Sequence, residues 1–315
     1  MGRLVAGQWQ DVWYDTKQSD GQFVREDAGF RHWIDNTPNA RFTPDSGRYH
    51  LYVSLACPWA HRTLIFRELK QLTDHIDVTV VCPDMLSHGW QFGIPEPLFG
   101  HRFLHQLYTQ AKADYTGRVT VPVLWDKQTQ TIVSNESADI IRMFNSAFNS
   151  LTGNDIDYYP LALREVIDDW NAFIYPNINN GVYRCGFATT QQAYEEAYEA
   201  LFAALDKVEQ HLATHRYLAG KVLTEADWRL FTTLIRFDAV YVGHFKCNKR
   251  RIADYPHLNG YLKELYQHPG VRETTDFYHI KRHYYFSHSM INPTQVVPRG
   301  PELDLESAHG REQLS

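Results

Sequence analysis

Cysteine is scarce in this sequence, which has only 4 in its 315 residues. They are Cys57, Cys82, Cys185 and Cys247. They lie far apart and form no C-x-x-C pair, which argues against a disulfide-stapled secreted scaffold and against a cysteine zinc site. The histidine pairs with i, i+4 spacing lack the Glu of an H-E-x-x-H motif, so we expect no metal site.

Long apolar runs and blocks of basic residues are also lacking. No stretch approaches the roughly 18 apolar residues of a membrane span, and the start of the chain has no apolar core typical of a secretory signal. Lys and Arg number 31 against 37 Asp and Glu, a net charge of -6, and form no block that would follow a phosphate backbone. We therefore expect a cytoplasmic protein that binds neither a membrane nor nucleic acid.

Aromatic residues, in contrast, are abundant. The chain has 8 Trp, 19 Tyr and 17 Phe, which together make up 14% of its residues. Hydrophobic residues at 43% and charged residues at 22% are typical of a globular protein, and the length allows about two domains. Phosphate-binding glycine loops and the G-x-S-x-G elbow are missing, so nucleotide binding and serine hydrolysis have no support.

The first half of the chain alternates strand and helix patterns. Apolar residues alternate with polar ones over residues 49–55, as in a strand, and helical spacing follows from Pro58. A second strand is predicted over residues 77–82. After an insert, residues 119–134 predict a hairpin, and a helix begins near Glu136. This order of strands and helices is typical of a thioredoxin-like domain.

Strand patterns stop at about residue 155, where helical periods take over. Apolar residues from Tyr194 to Leu212 recur every three or four positions, and Thr224 with Asp227 predicts the capped start of another helix. The predicted fold is therefore an α/β domain followed by an all-α domain. We divide the chain into an N-terminal extension (1–45), a thioredoxin-like domain (46–150), an all-helical domain (155–285) and a C-terminal tail (286–315).

Cys57 is the strongest candidate for chemistry. It ends the first predicted strand and begins the helix, where unpaired N–H groups and the helix dipole favour a thiolate. A dithiol redox protein has a second cysteine three residues later, but here that residue is Ala60. Cys57 therefore needs a thiol from solution, most simply glutathione. A buried structural cysteine is the alternative.

Pro122 interrupts an apolar strand pattern that runs from Val119 to Leu124. A central strand normally excludes proline because proline has no N–H to donate. A cis Val121–Pro122 bond would account for it and would expose the Val121 backbone to a ligand. An edge strand is the alternative.

A third feature is the helix start at residues 134–137. Backbone N–H groups and Ser137 would hold a carboxylate there, while Glu136 would pair with an ammonium group. The γ-glutamyl end of glutathione carries both groups. Ordinary helix capping is the alternative for this feature alone, but the three features together describe a glutathione site.

The residues around Cys57 resemble the signature of glutathionyl-hydroquinone reductases, the xi class of glutathione transferases. The resemblance covers nearly the whole chain. The matching segments are Ser54-Leu55-Ala56-Cys57-Pro58-Trp59-Ala60-His61-Arg62, Asn180-Gly181-Val182-Tyr183, and residues 238–245, 279–284 and 291–294. The resemblance implies the glutathione-transferase fold, a homodimer, and glutathione-dependent reduction of glutathionyl-hydroquinones with glutathione as co-substrate.

The resemblance also implies roles for individual residues. Cys57 matches the nucleophile that takes glutathione from the substrate as a mixed disulfide, which a second glutathione resolves. Tyr183 matches a tyrosine that exchanges a proton with the hydroquinone, and Tyr241 and Tyr284 match tyrosines near the cysteine sulfur. The residues matched to glutathione binding are Trp90, Arg118, Val119, Thr120, Val121, Glu136 and Ser137.

Two positions depart from the family pattern or are hard to align with it. Cys185 stands where we expect Ala, and it would act as a resolving thiol if it reached Cys57; a small core residue is the alternative. Residues 91–101 are hard to align. An omega-like thiol transferase or dehydroascorbate reductase would use the same Cys57, and a non-catalytic quinone-binding protein would not need it.

Overall fold

The structure, a computed structural model, describes residues 2–314, and its contacts divide the chain into two compact units. The first unit comprises the segment that ends at Trp13, Glu26–Ile156 and Thr274–His288; the second comprises Tyr14–Arg25, Asp157–Glu273 and the segment that begins at Ser289. No helix within residues 2–314 is both long enough and apolar enough to span a bilayer.

A four-stranded mixed sheet forms the centre of the first unit. Its order is β4-β3-β6-β7, with β3 and β4 parallel and the other pairs antiparallel. The strands are β3 (Tyr49–Val53), β4 (Ile76–Val80), β6 (Val123–Asp126) and β7 (Thr131–Ser134). Every residue of β3 is buried, as expected for a strand paired on both edges and covered on both faces.

Helices connect and follow these strands in the predicted order. They are α1 (Pro58–Leu69), α2 (Leu104–Ala111), α3 (Ser137–Ser146), α4 (Asn149–Thr152) and α10 (Phe277–Ser287). Pro58 occupies the first turn of α1, where its missing N–H and fixed φ cost nothing. The strand-helix-strand unit and the hairpin predicted from the sequence are both confirmed.

The N-terminal extension forms a second, small sheet that the sequence did not predict. Strands β1 (Arg3–Val5) and β2 (Gln8–Gln10) pair as a hairpin, and β1 also pairs with β5 (Gly117–Arg118). Ala6 and Gly7 both have positive φ in the hairpin turn, which matches the twist of a tight two-residue turn. These strands are too short to carry a period in the sequence.

The second unit is helical. Its α-helices are α5 (Arg164–Ile174), α6 (Gly181–Gly186), α7 (Gln191–Leu212), α8 (Glu225–Arg236) and α9 (Pro256–Tyr266). π-helical segments follow α5 over Tyr175–Asn179 and α8 over Phe237–Tyr241. The predicted cap of α8 is present, because Asp227 accepts hydrogen bonds from the backbone N–H and the hydroxyl of Thr224.

The compact units differ from the predicted domains. Each predicted domain is one continuous segment, whereas each compact unit combines several segments of the chain. Residues 274–288 belong to the first unit rather than to the helical one. Hydrogen bonds tie them there: His61 bonds Thr274, and Arg282 makes two bonds to Asp84. The extension is likewise divided, with Tyr14–Arg25 in the second unit.

The C-terminal tail packs on the second unit through buried polar contacts. Arg311 donates to Glu264 and to the carbonyl groups of His215 and Arg216. Lys263 bonds Asp304 at 2.9 Å. Because the ends of helices leave carbonyl groups without intrahelical partners, the guanidinium of Arg311 satisfies acceptors that burial would otherwise penalise.

Candidate active site

Cys57 is the N-terminal capping residue of α1. Its backbone is extended (φ -78, ψ 122), and its thiol donates to the Val121 carbonyl at 3.6 Å. The side chain is partly exposed. A partly exposed sulfur at the positive end of a helix is in an environment that favours the thiolate, so the structure confirms the predicted position of Cys57.

The turn before Cys57 is held by buried groups. The Ser54 carbonyl accepts from the Cys57 N–H at 3.1 Å, and the Ser54 hydroxyl accepts from the Ala56 N–H at 3.2 Å. One turn further along α1, the Arg62 guanidinium lies 4.6 Å from the centre of the Trp59 ring. The cysteine is therefore presented on a rigid support.

The predicted cis Val121–Pro122 peptide bond is confirmed. The side chains of Val119 and Val121 are buried. The Thr120 backbone is hydrogen-bonded to a buried tyrosine. Its carbonyl accepts from the Tyr108 hydroxyl at 2.8 Å, and its N–H donates to the Tyr108 hydroxyl oxygen at 3.2 Å. The Val121 carbonyl accepts from the Cys57 thiol at 3.6 Å.

Glu136 caps α3, and its carboxylate accepts from the Ala138 N–H at 2.9 Å. The Ser137 side chain is 2% exposed, and its hydroxyl has no hydrogen-bond partner within residues 2–314. A buried hydroxyl without a partner is costly. Its position in the first turn of α3, among N–H groups that the helix leaves unpaired, suits an anionic ligand.

Arg118 is buried and contacts the N-terminal extension. It donates to the carbonyl groups of Val12 (2.5 Å) and Trp13 (3.2 Å) and to the Glu26 carboxylate (3.2 Å). Its side chain therefore anchors the extension to the first unit. Its predicted role in glutathione binding stays a prediction.

Trp90 and Tyr284 lie in the same unit and share a histidine neighbour. Trp90 is buried and stacks on His283 with ring centres 4.7 Å apart. Tyr284 is 1% exposed and packs edge-on against His283 at 5.3 Å and His288 at 5.6 Å. Helix α10 thus carries the tyrosine and the ring that supports Trp90.

The second unit contains Tyr183 and Tyr241 in one aromatic cluster. Their ring centres are 6.1 Å apart, and each lies 5.4 Å from the centre of Phe245. The cluster, all of whose members are buried, comprises Phe23, Tyr183, Phe187, Tyr241 and Phe245. Tyr241 ends a π-helical segment, a local distortion that is frequent at functional sites.

Phe23 is a member of this cluster that the sequence did not identify. It comes from the extension and packs on Phe187 at 5.2 Å and on Tyr183 at 6.4 Å. Residues 14–25 have no sustained hydrophobic period, so no pattern could have marked Phe23 as a core residue. Its contacts come entirely from the tertiary fold.

The thiol neighbour of Cys185 in the second unit is Cys247. Both side chains are buried, the Cys247 thiol donates to the Val182 and Phe245 carbonyl groups at 4.0 and 3.8 Å, and none of the four cysteines forms a disulfide. Burial is the main cause that raises the pKa of Cys247 well above its ordinary value. The interpretation of Cys185 as a small core residue agrees with this burial.

The loop over residues 91–101 is organised around one buried carboxylate. Glu96 accepts from the Tyr52 hydroxyl at 3.0 Å and from the backbone N–H groups of Leu98 and Phe99 at 2.9 and 2.7 Å. These bonds satisfy a carboxylate that would be expensive to bury alone. No sequence pattern distinguishes Glu96 from the other members of the 37 acidic residues.

Two family profiles match the chain. "Glutathione S-transferase, N-terminal domain" matches residues 56–147, and "Glutathione S-transferase, C-terminal domain" matches residues 191–264. Glutathionyl-hydroquinone reductase YqjG of Escherichia coli (strain K12) is 54% identical over 324 residues, covering 99% of each chain. The chain belongs to the xi class of the glutathione S-transferase family.

Solved structures agree with this assignment of the xi-class chain. The glutathione-bound structure of YqjG from Escherichia coli K-12 is similar to it with a TM-score of 0.89 and 51% identity, covering 99% of each chain. A xi-class transferase from Natrialba magadii has a TM-score of 0.93 and 46% identity, covering 100% of this chain and 98% of its own. The predicted fold, thioredoxin-like followed by all-helical, is confirmed.

Proposed function

We propose that this xi-class transferase reduces glutathionyl-hydroquinones with glutathione. The substrate has a carbon–sulfur bond between the hydroquinone ring and glutathione. In the overall reaction that bond breaks, a carbon–hydrogen bond forms, and the glutathione released from the ring joins a second glutathione in a disulfide. The products are the hydroquinone and oxidised glutathione, and the two electrons that reduce the ring carbon come from the two glutathione sulfurs that form the disulfide.

The reaction has two steps at Cys57. First, the Cys57 thiolate attacks the sulfur of the conjugate, which forms a Cys57–glutathione disulfide and leaves the electron pair of the carbon–sulfur bond with the ring. A proton then completes the hydroquinone. Second, a glutathione thiolate attacks the mixed disulfide, which releases oxidised glutathione and restores the Cys57 thiolate.

The observation that carries the proposal is the position of the Cys57 sulfur. It lies at the start of α1, 3.6 Å from the Val121 carbonyl and beside a cis Val121–Pro122 bond. Ala60 takes the place of a second cysteine one turn later. A lone thiol of this kind exchanges with a thiol from solution rather than closing its own disulfide.

Glutathione binding is assigned to groups of the first unit. The Val121 backbone pairs with the peptide part of glutathione, and the Ser137 hydroxyl with the first N–H groups of α3 holds the γ-glutamyl carboxylate. Glu136 pairs with the ammonium group, since a carboxylate that accepts one backbone bond keeps further acceptor capacity. Trp90 packs on glutathione, and Arg118, Val119 and Thr120 complete the binding strand.

The tyrosines are assigned to proton chemistry. Tyr183 gives the proton to the ring carbon, because a phenol is an effective acid for a carbanion-like leaving group. Tyr241 and Tyr284 favour the Cys57 thiolate by hydrogen bonding. The buried aromatic cluster around Tyr183 and Tyr241 suits the flat apolar ring of a quinol. We further propose that the protein acts as a homodimer in the cytoplasm, where thiols stay reduced.

The test is a Cys57→Ser variant assayed with a glutathionyl-hydroquinone and glutathione. We expect turnover to fall by a factor of at least about a thousand, since serine is a far weaker nucleophile than a thiolate. Cys82→Ser is the matched control because Cys82 is also a partly exposed cysteine of the first unit, and it should keep turnover. Full turnover in Cys57→Ser would refute the mechanism.

Comparing substrates in the same assay distinguishes the proposed reductase from the alternative enzyme. An omega-like thiol transferase or dehydroascorbate reductase would turn over small disulfides or dehydroascorbate faster than glutathionyl-hydroquinones. We expect the opposite order for the wild-type protein.

A further inference from the structure

Arg25, a residue of the N-terminal extension, lies over the ring of Tyr183. Its guanidinium carbon is 5.0 Å from the centre of that ring and 5.3 Å from the centre of Phe23. All three residues belong to the second unit. A guanidinium within about 6 Å of a ring centre is attracted by the ring electrons. The contact between Arg25 and the Tyr183 ring is therefore a favourable cation–π interaction.

A hydrogen bond fixes the guanidinium in this position. The Arg25 Nε donates to the side-chain oxygen of Asn180 at 3.1 Å. Asn180 directly precedes α6, the helix that carries Tyr183. The extension around Arg25 is fixed to the same unit, since the Asp20 carbonyl accepts from the Thr190 hydroxyl at 2.9 Å. The Arg25 guanidinium and the Tyr183 phenol are therefore fixed relative to each other within the second unit.

Neutral titratable groups also lie near Tyr183, and a second cation, Arg184, directly follows it on α6. Tyr241 faces Tyr183 from the segment after α8 at 6.1 Å between ring centres. Cys185 lies two residues after Tyr183 on α6 and is close to Cys247. Both thiols are also close to Tyr194 on α7. Phenols and thiols are neutral in their ordinary form near pH 7, whereas a guanidinium stays charged. Arg25 thus supplies a fixed positive charge on the Tyr183 ring.

We propose that Arg25 is a positioning residue whose fixed charge favours the phenolate form of Tyr183. A phenolate shares its negative charge with the ring carbons, so a cation over the ring stabilises the phenolate more than the neutral phenol. A more acidic Tyr183 releases its proton to the quinol carbon more readily. This consequence for catalysis rests on the proposed function, whereas the effect on ionisation does not.

The test measures the ionisation of Tyr183 directly. Protein labelled with carbon-13 at the tyrosine ring carbon that bears the hydroxyl is titrated by NMR, and the Tyr183 signal is the one missing from Tyr183→Phe. An opposite charge at about 4–6 Å lowers the pKa of an acid by about 1 to 3 units. We therefore expect Arg25→Met to raise the pKa of Tyr183 by about 1 unit or more and Arg25→Lys to raise it less.

Arg164→Met is the matched control. Arg164 lies 4.9 Å over the ring of Tyr159 in the same unit, so this variant removes an equivalent charge from a different tyrosine. It should leave the Tyr183 titration unchanged. If Arg25→Met lowers stability, Asn180→Ala provides a second test, because it removes the hydrogen bond to Nε while keeping the guanidinium and should raise the pKa of Tyr183 by a smaller amount.

An unchanged Tyr183 pKa in folded Arg25→Met would overturn the inference. The activity profile tests the proposed function separately. If Tyr183 is the proton donor, the alkaline limit of glutathionyl-hydroquinone reduction should move upward in Arg25→Met by the NMR shift. A Tyr183 pKa that rises while this limit stays fixed would support the inference and contradict the proton role of Tyr183.

Discussion

The two units of the molecule position their candidate functional groups by different kinds of interaction. In the first unit the groups are set by the backbone: Cys57 caps a helix, Val121 presents its carbonyl beside a cis bond, and Ser137 opens another helix. In the second unit Tyr183 and Tyr241 are held by ring packing, with Phe245 5.4 Å from both.

This difference predicts how each unit responds to change. Groups fixed by turns and helix starts keep their places when a neighbouring side chain is exchanged, because backbone hydrogen bonds hold them. Groups fixed by packed rings depend on the shapes of their neighbours, since a protein interior is close-packed. Substitutions of the candidate site groups in the first unit should therefore change ligand affinity selectively, and those in the aromatic cluster of the second unit should also change stability.

Within the second unit the largest effect on turnover is expected at Tyr183, where a ring is assigned to chemistry rather than packing. Tyr183→Phe keeps the ring and removes the hydroxyl, so we expect reduction of glutathionyl-hydroquinone to fall by about 10² to 10⁴, the usual worth of a general acid. Exchange with a simple disulfide needs no proton on carbon and should change little. Steady-state rates on both substrates check this, and equal losses would contradict the proton role.

Gly186 tests the packing of the second unit. A methyl group added there would lie 2.2 Å from ring atoms of Phe245, so we expect Gly186→Ala to lower the free energy of unfolding by about 3 kcal/mol, a large overpacking cost. Gly181→Ala is the control on the same helix, because its added methyl meets its nearest neighbour at 3.6 Å. Denaturant melts measure both, and equal stability would contradict ring packing as the support of this unit.

His50 gives the sheet of the first unit a defined acid sensitivity. Burial is the main cause that lowers its pKa from 6.5 to about 4. Below about pH 6.5 His50 binds a proton in the unfolded chain, whereas in the native protein it stays neutral until about pH 4. Stability therefore falls across this window as the pH decreases.

The expected loss attributable to His50 is about 2 kcal/mol between pH 6.5 and about pH 5. His50→Gln should show correspondingly less acid destabilisation in melts at several pH values. His75→Gln is the control for a histidine-to-glutamine exchange in the same unit, because His75 is not buried. An identical pH dependence in His50→Gln would contradict the assignment.

Ser137 tests whether a group placed by the backbone acts on affinity alone. Ser137→Ala removes a buried hydroxyl that has no partner within residues 2–314, so stability should hold. If that hydroxyl binds a carboxylate, glutathione affinity should fall by about tenfold, the worth of a hydrogen bond to a charged group. Ser146→Ala is the control on α3, where the exposed hydroxyl bonds Arg142 at 3.3 Å. Calorimetry with glutathione measures both, and unchanged affinity would contradict the assigned contact.

The first unit could be predicted from the sequence because its features are local. Pro58 after Cys57 marks a helix start, Pro122 in an apolar run marks a cis bond, and Glu136 marks the next helix. Each is a statement about a few neighbouring residues whose backbone chemistry has few solutions. The order of strands and helices along the chain and the hairpin follow from the same signals.

The second unit and the extension were less predictable because their contacts join distant segments. Phe23 and Arg25 reach Tyr183 from residues that show no period, and the short strands β1 and β2 leave no pattern. Residues 274–288 have helical spacing like that of the helical domain, but buried bonds such as His61 to Thr274 place them with the sheet. Only tertiary packing decides such cases.

Mass spectrometry of a single turnover without free glutathione tests the central claim, that Cys57 takes glutathione from the conjugate. We expect one glutathione per chain, bound to Cys57 by a reducible disulfide, together with one released hydroquinone. The Cys57→Ser variant should show neither. The proposed role of Cys57 would be wrong if a hydroquinone ring were attached to Cys57, if glutathione were found on another cysteine, or if Cys57 formed a disulfide with Cys185.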